Sequence, residues 1–101
     1  MTGRELLGQW VRTSRGLVGR VVVYDPLDRA CTYAIHAPDF DPADAGVYVL
    51  QEGYAQLHPE RVILAGLPAG TKMRWVYGDI YQLSPEELAR CQLAHGQAGQ
   101  L

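Results

Sequence analysis

The sequence predicts a single, mainly β domain: a small barrel or roll carrying an added β-hairpin and a short C-terminal α-helix. Three observations predict it. Short runs rich in valine, isoleucine, tyrosine and tryptophan recur at close spacing, glycine-bearing breaks separate them, and one capped helical segment stands near the end of the chain. A length of 101 residues suits one domain with one modest core. With 48% apolar and 20% charged residues, the composition is that of a globule rather than a disordered chain. The expected parts are a barrel core over residues 8–64, a hairpin over 65–83, a helix over 84–96 and a frayed tail over 97–101.

The elements follow in order. Thr2 and Glu5 have the spacing of a capping box, which predicts a helical turn over residues 3–7 that stops at Gly8. Residues 9–13, Q-W-V-R-T, suit a first strand, S-R-G a turn, and L-V-G-R-V-V-V-Y a second strand. Alternation puts Leu17, Val21 and Val23 on one face and Val18, Arg20, Val22 and Tyr24 on the other. Gly19 within this run marks a bend or bulge that lets a short sheet curl. D-P-L-D-R is turn chemistry, and C-T-Y-A-I-H-A alternates as a half-buried strand, Cys31, Tyr33 and Ile35 against Thr32, Ala34 and His36.

P-D-F-D-P-A-D-A-G has the composition of a loop, and its aspartates suit bonds to their own backbone better than a calcium loop. V-Y-V-L-Q and Y-A-Q-L then read as a hairpin closed at Glu52 and Gly53, with a short helical turn in H-P-E-R-V-I-L-A. M-R-W-V-Y and I-Y-Q-L, joined through G-D, read as a second hairpin. Ser84 as N-cap, Pro85 at the first helical position, Glu87 completing a capping box and Gly96 as the stop predict a helix over 85–95. Its apolar face is narrow, formed by Leu88 and Cys91 with Ala89 and Leu93 beside them.

Charge and cysteine usage bound the function. The net charge of −2 gives no global drive toward nucleic acid or an anionic membrane. No run has the length of a membrane span and the first residues lack a signal peptide's apolar stretch, so a cytoplasmic protein is expected. Cys31 and Cys91 are too far apart to form a metal motif and read as small core thiols. His36, His58 and His95 lack the spacing of zinc ligands, so no metal is expected. No serine–histidine–acid set or nucleotide-binding glycine loop is present, so no cofactor is expected.

The segment Gly8 to Val22, G-x-x-V-R followed by G-L-V-G-R-V-V, together with a later L-H-P-E-R-V, resembles SH3-like barrels of the KOW and Tudor type. The resemblance covers about residues 8–64, and V-Y-D-P-L lacks the A-L-Y-D-Y motif of peptide-binding SH3 domains. It implies a first loop that meets RNA, DNA or protein, which singles out Arg12, Arg15 and Arg20, whose planar guanidinium forks suit phosphate or carboxylate. The plainer reading is a solvated turn whose charges keep an edge strand from pairing. Y-A-Q-L-H-P, residues 54–59, is similar to the V-Q-I-Y-P segment of plasmid-borne type II dihydrofolate reductases. That resemblance implies a homotetramer whose pore holds NADPH and dihydrofolate, with Gln56 matching the pore glutamine and His58 standing for the pore tyrosine. Ala55 replaces the family's valine, and Thr13 and Ser14 stand where it places a basic pore residue.

Six tyrosines and two tryptophans offer aromatic material for stacking, most of it expected in the core or an interface. Together these readings predict a non-catalytic binding or scaffold module. Its first expected partner is another protein or a second copy, met through Trp75, Tyr77 and Tyr81 of the second hairpin. Nucleic-acid binding through the arginine turn is the alternative, and a reductase-like oligomer is the third reading.

Overall fold

Backbone pairing, rather than chain order, decides which strands become neighbours. The computed structural model describes residues 3–28 and 32–94. After a 3₁₀ turn at Gly3–Leu6 come β1 (Trp10–Thr13), β2 (Val18–Tyr24), β3 (Tyr33–His36), β4 (Val47–Val49), a one-turn helix α1 (Tyr54–Leu57), β5 (Val62–Ile63), β6 (Lys72–Val76), β7 (Ile80–Gln82) and α2 (Pro85–Ala94). All strand pairs are antiparallel, in the order β4-β6-β3-β2-β1-β7, with β5 also on β2. The molecule is therefore mainly β with a short C-terminal helix, as the sequence predicts. The Thr2 cap, Cys31, His95, the Gly96 stop and the 97–101 tail lie outside the described residues.

The turn between β1 and β2 bends the chain back on itself. Gly16 at φ +85° supplies the left-handed position, and the Thr13 hydroxyl oxygen accepts hydrogen bonds from the backbone N–H groups of Arg15 (3.3 Å) and Leu17 (3.1 Å). A threonine at the strand end thus satisfies donors the turn would otherwise strand. The bulge in β2 falls at Val22 rather than Gly19: Val21 faces Ile35 and Val23 faces Ala34, so one extra residue stands on β2. Gly19 itself pairs in register with Val11. Its lack of a side chain serves a close approach, since a Cβ there would lie 2.8 Å from the His36 carbonyl oxygen.

The bulge also corrects the expected faces. Val21 packs with Leu6, Val11, Ile35, Ala37, Phe40 and Val76, whereas Val22 and Val23 both join Ala34, Leu50 and Met73 in a second cluster. A bulge advances the chain by one residue without reversing the next side chain, which lets consecutive valines share a face. It also lets β2 change neighbours. Val21 exchanges backbone bonds with Gly8 and Gln9, and one residue later the Val22 carbonyl accepts from Leu64 N–H.

Neither expected later hairpin forms. Y-A-Q-L is α1, preceded by Gly53 at φ +78°, and β4 pairs instead with β6. H-P-E-R makes a turn, with Arg61 N–H donating to the His58 carbonyl, before the short strand β5. The strands expected to form the added hairpin part company: β6 lies between β3 and β4, and β7 lies on β1. Both belong to the one sheet. β3 is buried at Ala34, Ile35 and His36 rather than on alternate residues, because the sheet is covered on both faces there.

Ser84 and Glu87 close a reciprocal capping box, Ser84 Oγ accepting from Glu87 N–H and Glu87 Oε1 accepting from Ser84 N–H, both at 3.2 Å. The acidic loop behaves as its composition predicts, Asp41 Oδ1 accepting from Ala43 N–H at 2.9 Å. Lys72 Nζ ties that loop to the sheet by donating to the carbonyls of Pro38 and Phe40. Cys91 and Leu88 are half-buried and Ala89 is exposed.

A candidate binding cleft

Three chain segments distant in sequence meet at Arg61. Asp25 closes the turn after β2, where Oδ1 accepts the Leu27 N–H at 3.0 Å, and its Oδ2 accepts Arg61 Nε, also at 3.0 Å. Asp25 is only 5% exposed, so the guanidinium compensates a carboxylate that burial would otherwise penalise. Arg61 Nη1 donates to the Tyr54 hydroxyl on α1. Its guanidinium also stacks over Trp75 of β6, 4.6 Å from the ring centroid. Burial opposes the Arg61 charge, but the hydrogen bonds to Asp25 and Tyr54 outweigh it and raise the pKa above its ordinary value. On β3, Ala34 stands directly opposite Trp75, and its small side chain leaves room for the indole.

This wall borders an open cleft of about 490 Å³. Tyr48, Trp75 and Tyr77 supply its aromatic surface, and Arg15, Arg61 and Arg74 supply its charge, with Asp28 on the rim. Tyr48 is 53% and Tyr77 72% exposed. None of the six tyrosines is fully buried: Tyr33 and Tyr54 pack half-buried against the two core clusters, Tyr24 is half-buried, and Tyr48, Tyr77 and Tyr81 are exposed. Arg74, in the middle of β6, lies over the Phe40 ring at 5.4 Å, and its buried Nε has no hydrogen-bond partner among the described residues. Arg74 also lines a second, smaller cleft together with Leu17, Asp39 and Asp44.

The expected site residues separate. Arg12, Arg15 and Arg20 form no common patch: Arg12 pairs with Glu87 of α2 at 3.3 Å and lies over the Tyr81 ring, Arg20 donates to the Gly8 carbonyl at 3.0 Å, and Arg15 alone reaches the cleft. β1 is also interior to the sheet, so Arg12 guards no edge. Trp75 and Tyr77 reach the cleft, whereas Tyr81 sits on β7 against Arg12. Gln56 is exposed on α1 rather than on a strand. The His58 ring lies tilted against Tyr54, centroids 4.6 Å apart, and 3.9 Å from Glu60.

Arg61, Arg74 and Tyr48 were not singled out from the sequence. Arg61 meets Asp25 across 36 positions, and no local pattern signals such a pair. Among the described residues no group of three or more histidine, cysteine, aspartate or glutamate side chains is placed to hold a metal ion. No helix among them is long and apolar enough to cross a membrane. No family model, curated protein or solved structure matches the chain at a significant score.

Proposed function

We propose that this protein is a non-catalytic protein-binding module whose working surface is the aromatic cleft beside β4. The observation that carries the reading is the exposure of Tyr48 and Tyr77 on either side of the half-buried Trp75. Exposed aromatic rings held by a rigid sheet are the usual anchors of protein interfaces, because they bury much area while losing little side-chain freedom. Two further features support it. Among the described residues β4 is the terminal strand of the sheet, so one side of Val47–Val49 has no strand partner there and suits an extended segment. Arg12 and Arg20 are already engaged within the fold, which removes two of the three cations a phosphate-binding loop would need.

The test is selection of peptides from a displayed random library against the purified protein, followed by amide chemical-shift mapping of the best binders. Shifts should concentrate on residues 45–49 and 74–77, and Tyr48→Ala or Tyr77→Ala should weaken binding about tenfold or more. Enrichment of no peptide, or shifts centred elsewhere, would remove the reading. Tight, salt-sensitive binding of single-stranded RNA would replace it with nucleic-acid recognition.

A further inference from the structure

We infer that the partner segment binds as an added strand along the outer side of β4, and that it is apolar in its middle and carries lysine or arginine at its ends. The inference rests on the protein-binding reading above and adds the mode of binding and the chemistry of the partner.

The backbone of β4 supplies the first argument. Leu50 N–H donates to the Thr71 carbonyl at 2.9 Å and the Leu50 carbonyl accepts from Gly70 N–H at 2.8 Å, while Tyr48 stands opposite Met73. Backbone groups alternate in direction along an antiparallel ladder, so Tyr48 and Leu50 turn theirs toward β6 and Val47 and Val49 turn theirs outward. Val47 N–H is taken by the Asp44 carbonyl at 3.2 Å. The Val47 carbonyl and both backbone groups of Val49 then face outward with no strand beside them among the described residues. Val47, Tyr48 and Val49 contain no proline, glycine or charge, the usual devices that keep an edge from pairing, and Tyr48 and Val49 are exposed.

Charge at the two ends of β4 chooses the occupant. Asp44 precedes the strand and Glu52 follows it, both exposed, and neither side chain forms an ion pair or hydrogen bond among the described residues. A second copy paired about a two-fold axis at Tyr48 would set Val47 against Val49 and Asp44 against Glu52, placing like charges opposite each other at both ends. The same two carboxylates attract a segment with a basic residue at each end. Between them, Tyr48 and the neighbouring Trp75 offer aromatic surface, and Arg15, Arg61 and Arg74 line the same cleft and keep a lysine or arginine out of the middle of the segment. Apolar side chains, β-branched or aromatic, fit there beside the valines and Tyr48.

The experiment uses the intact protein, a displayed random peptide library, and resynthesised binders that are N-methylated at one backbone amide at a time. An added strand must donate N–H groups to the Val47 and Val49 carbonyls, so methylation of alternate amides in the apolar stretch should weaken binding about tenfold or more, with the intervening amides tolerant. Lysine or arginine should be enriched on both sides of that stretch, and changing either to glutamine should weaken binding by about two- to fivefold. The paired substitution Asp44→Asn with Glu52→Gln, at two exposed positions, should cost the basic peptide a similar factor per charge and cost the glutamine peptide nothing further. If binders map to the cleft but tolerate methylation at every amide, strand addition fails while the protein-binding reading stands. If alternate amides are sensitive but basic ends are not selected, or the paired substitution leaves affinity unchanged, the assignment of a basic partner fails. Concentration-dependent dimerisation in sedimentation, with amide shifts on residues 47–49, would replace that partner with a second copy. If no peptide maps to the cleft, both readings fail.

Discussion

Replacing Gly19 by alanine tests the closest backbone approach in the sheet. The added Cβ would lie 2.8 Å from the His36 carbonyl oxygen and 3.1–3.2 Å from the Ile35 side chain. Ile35 is fully buried and the oxygen belongs to the backbone of β3, so neither neighbour is free to swing aside. β2 and β3 must separate instead. Overpacking of this kind costs about 1–3 kcal/mol, partly offset by the roughly 0.5–1 kcal/mol that alanine gains over glycine in an unstrained backbone. Against a total of about 5–15 kcal/mol for a domain of this size, and a urea slope of about 1–3 kcal/mol per molar, the midpoint should fall by on the order of 1 M. Urea unfolding followed by tryptophan emission reads this directly, with Gly16→Asn as the control. Gly16 sits at φ +85° with nothing near its missing Cβ, and asparagine tolerates that conformation, so the control should hold its midpoint far better. A Gly19→Ala midpoint equal to that of the parent would refute the close-approach account.

The remaining predictions concern the polar ties. Arg61→Met leaves the Asp25 carboxylate buried without its cation and should destabilise by about 2–4 kcal/mol, with a shift in Trp75 emission; an unchanged midpoint would show that Asp25 is solvated by other means. Burial lowers the His36 pKa below its ordinary 6.5, a shift the hydrogen bond to the Lys72 carbonyl opposes and the charges of Lys72 and Arg20 reinforce. The contribution of neutral His36 is therefore complete above about pH 6.5 and is lost as pH falls through the folded-state value. Urea midpoints should drop between pH 7.5 and pH 5, and His36→Gln should flatten that drop. Ser84→Ala removes the N-cap of α2 and should cost about 1 kcal/mol, seen as faster amide exchange over residues 86–90; unchanged exchange would deny the cap its role. Burial raises the Cys91 thiol pKa, with the Asp39 charge adding to it, so alkylation at pH 8 should run slower than for an unfolded peptide, and equal rates would contradict the packing.

Local chemistry was legible in the sequence wherever a few neighbouring residues decide the outcome. The Ser84–Glu87 box, the Asp25 and Asp41 turns and the turn before β2 all form as their residue types require. Partner choice between strands was not legible. M-R-W-V-Y, G-D and I-Y-Q-L carry every local mark of a hairpin, yet Met73 and Val76 face different apolar clusters, and burying both places β6 between two neighbours. Tyr81 and Gln82 are exposed, which β7 accommodates at the far edge of the sheet. Y-A-Q-L carries a cue for the helix it forms: it contains no β-branched residue, and alanine, glutamine and leucine all favour helix.

The cleft owes its existence to three consecutive valines. Val21, Val22 and Val23 are all fully buried, and a strand of strict alternation with one covered face would expose at least one of them. Here both faces are covered, and the bulge gives Val21 to one cluster and Val22 with Val23 to the other. A bulge also sharpens the local bend, and it is in this second half of β2 that the strand takes β5 as a partner. That pairing carries Arg61, the residue before β5, to Asp25, the residue after β2. Arg61 in turn lies over Trp75 and holds Tyr54, so one wall of the candidate cleft follows from the way this apolar run is buried.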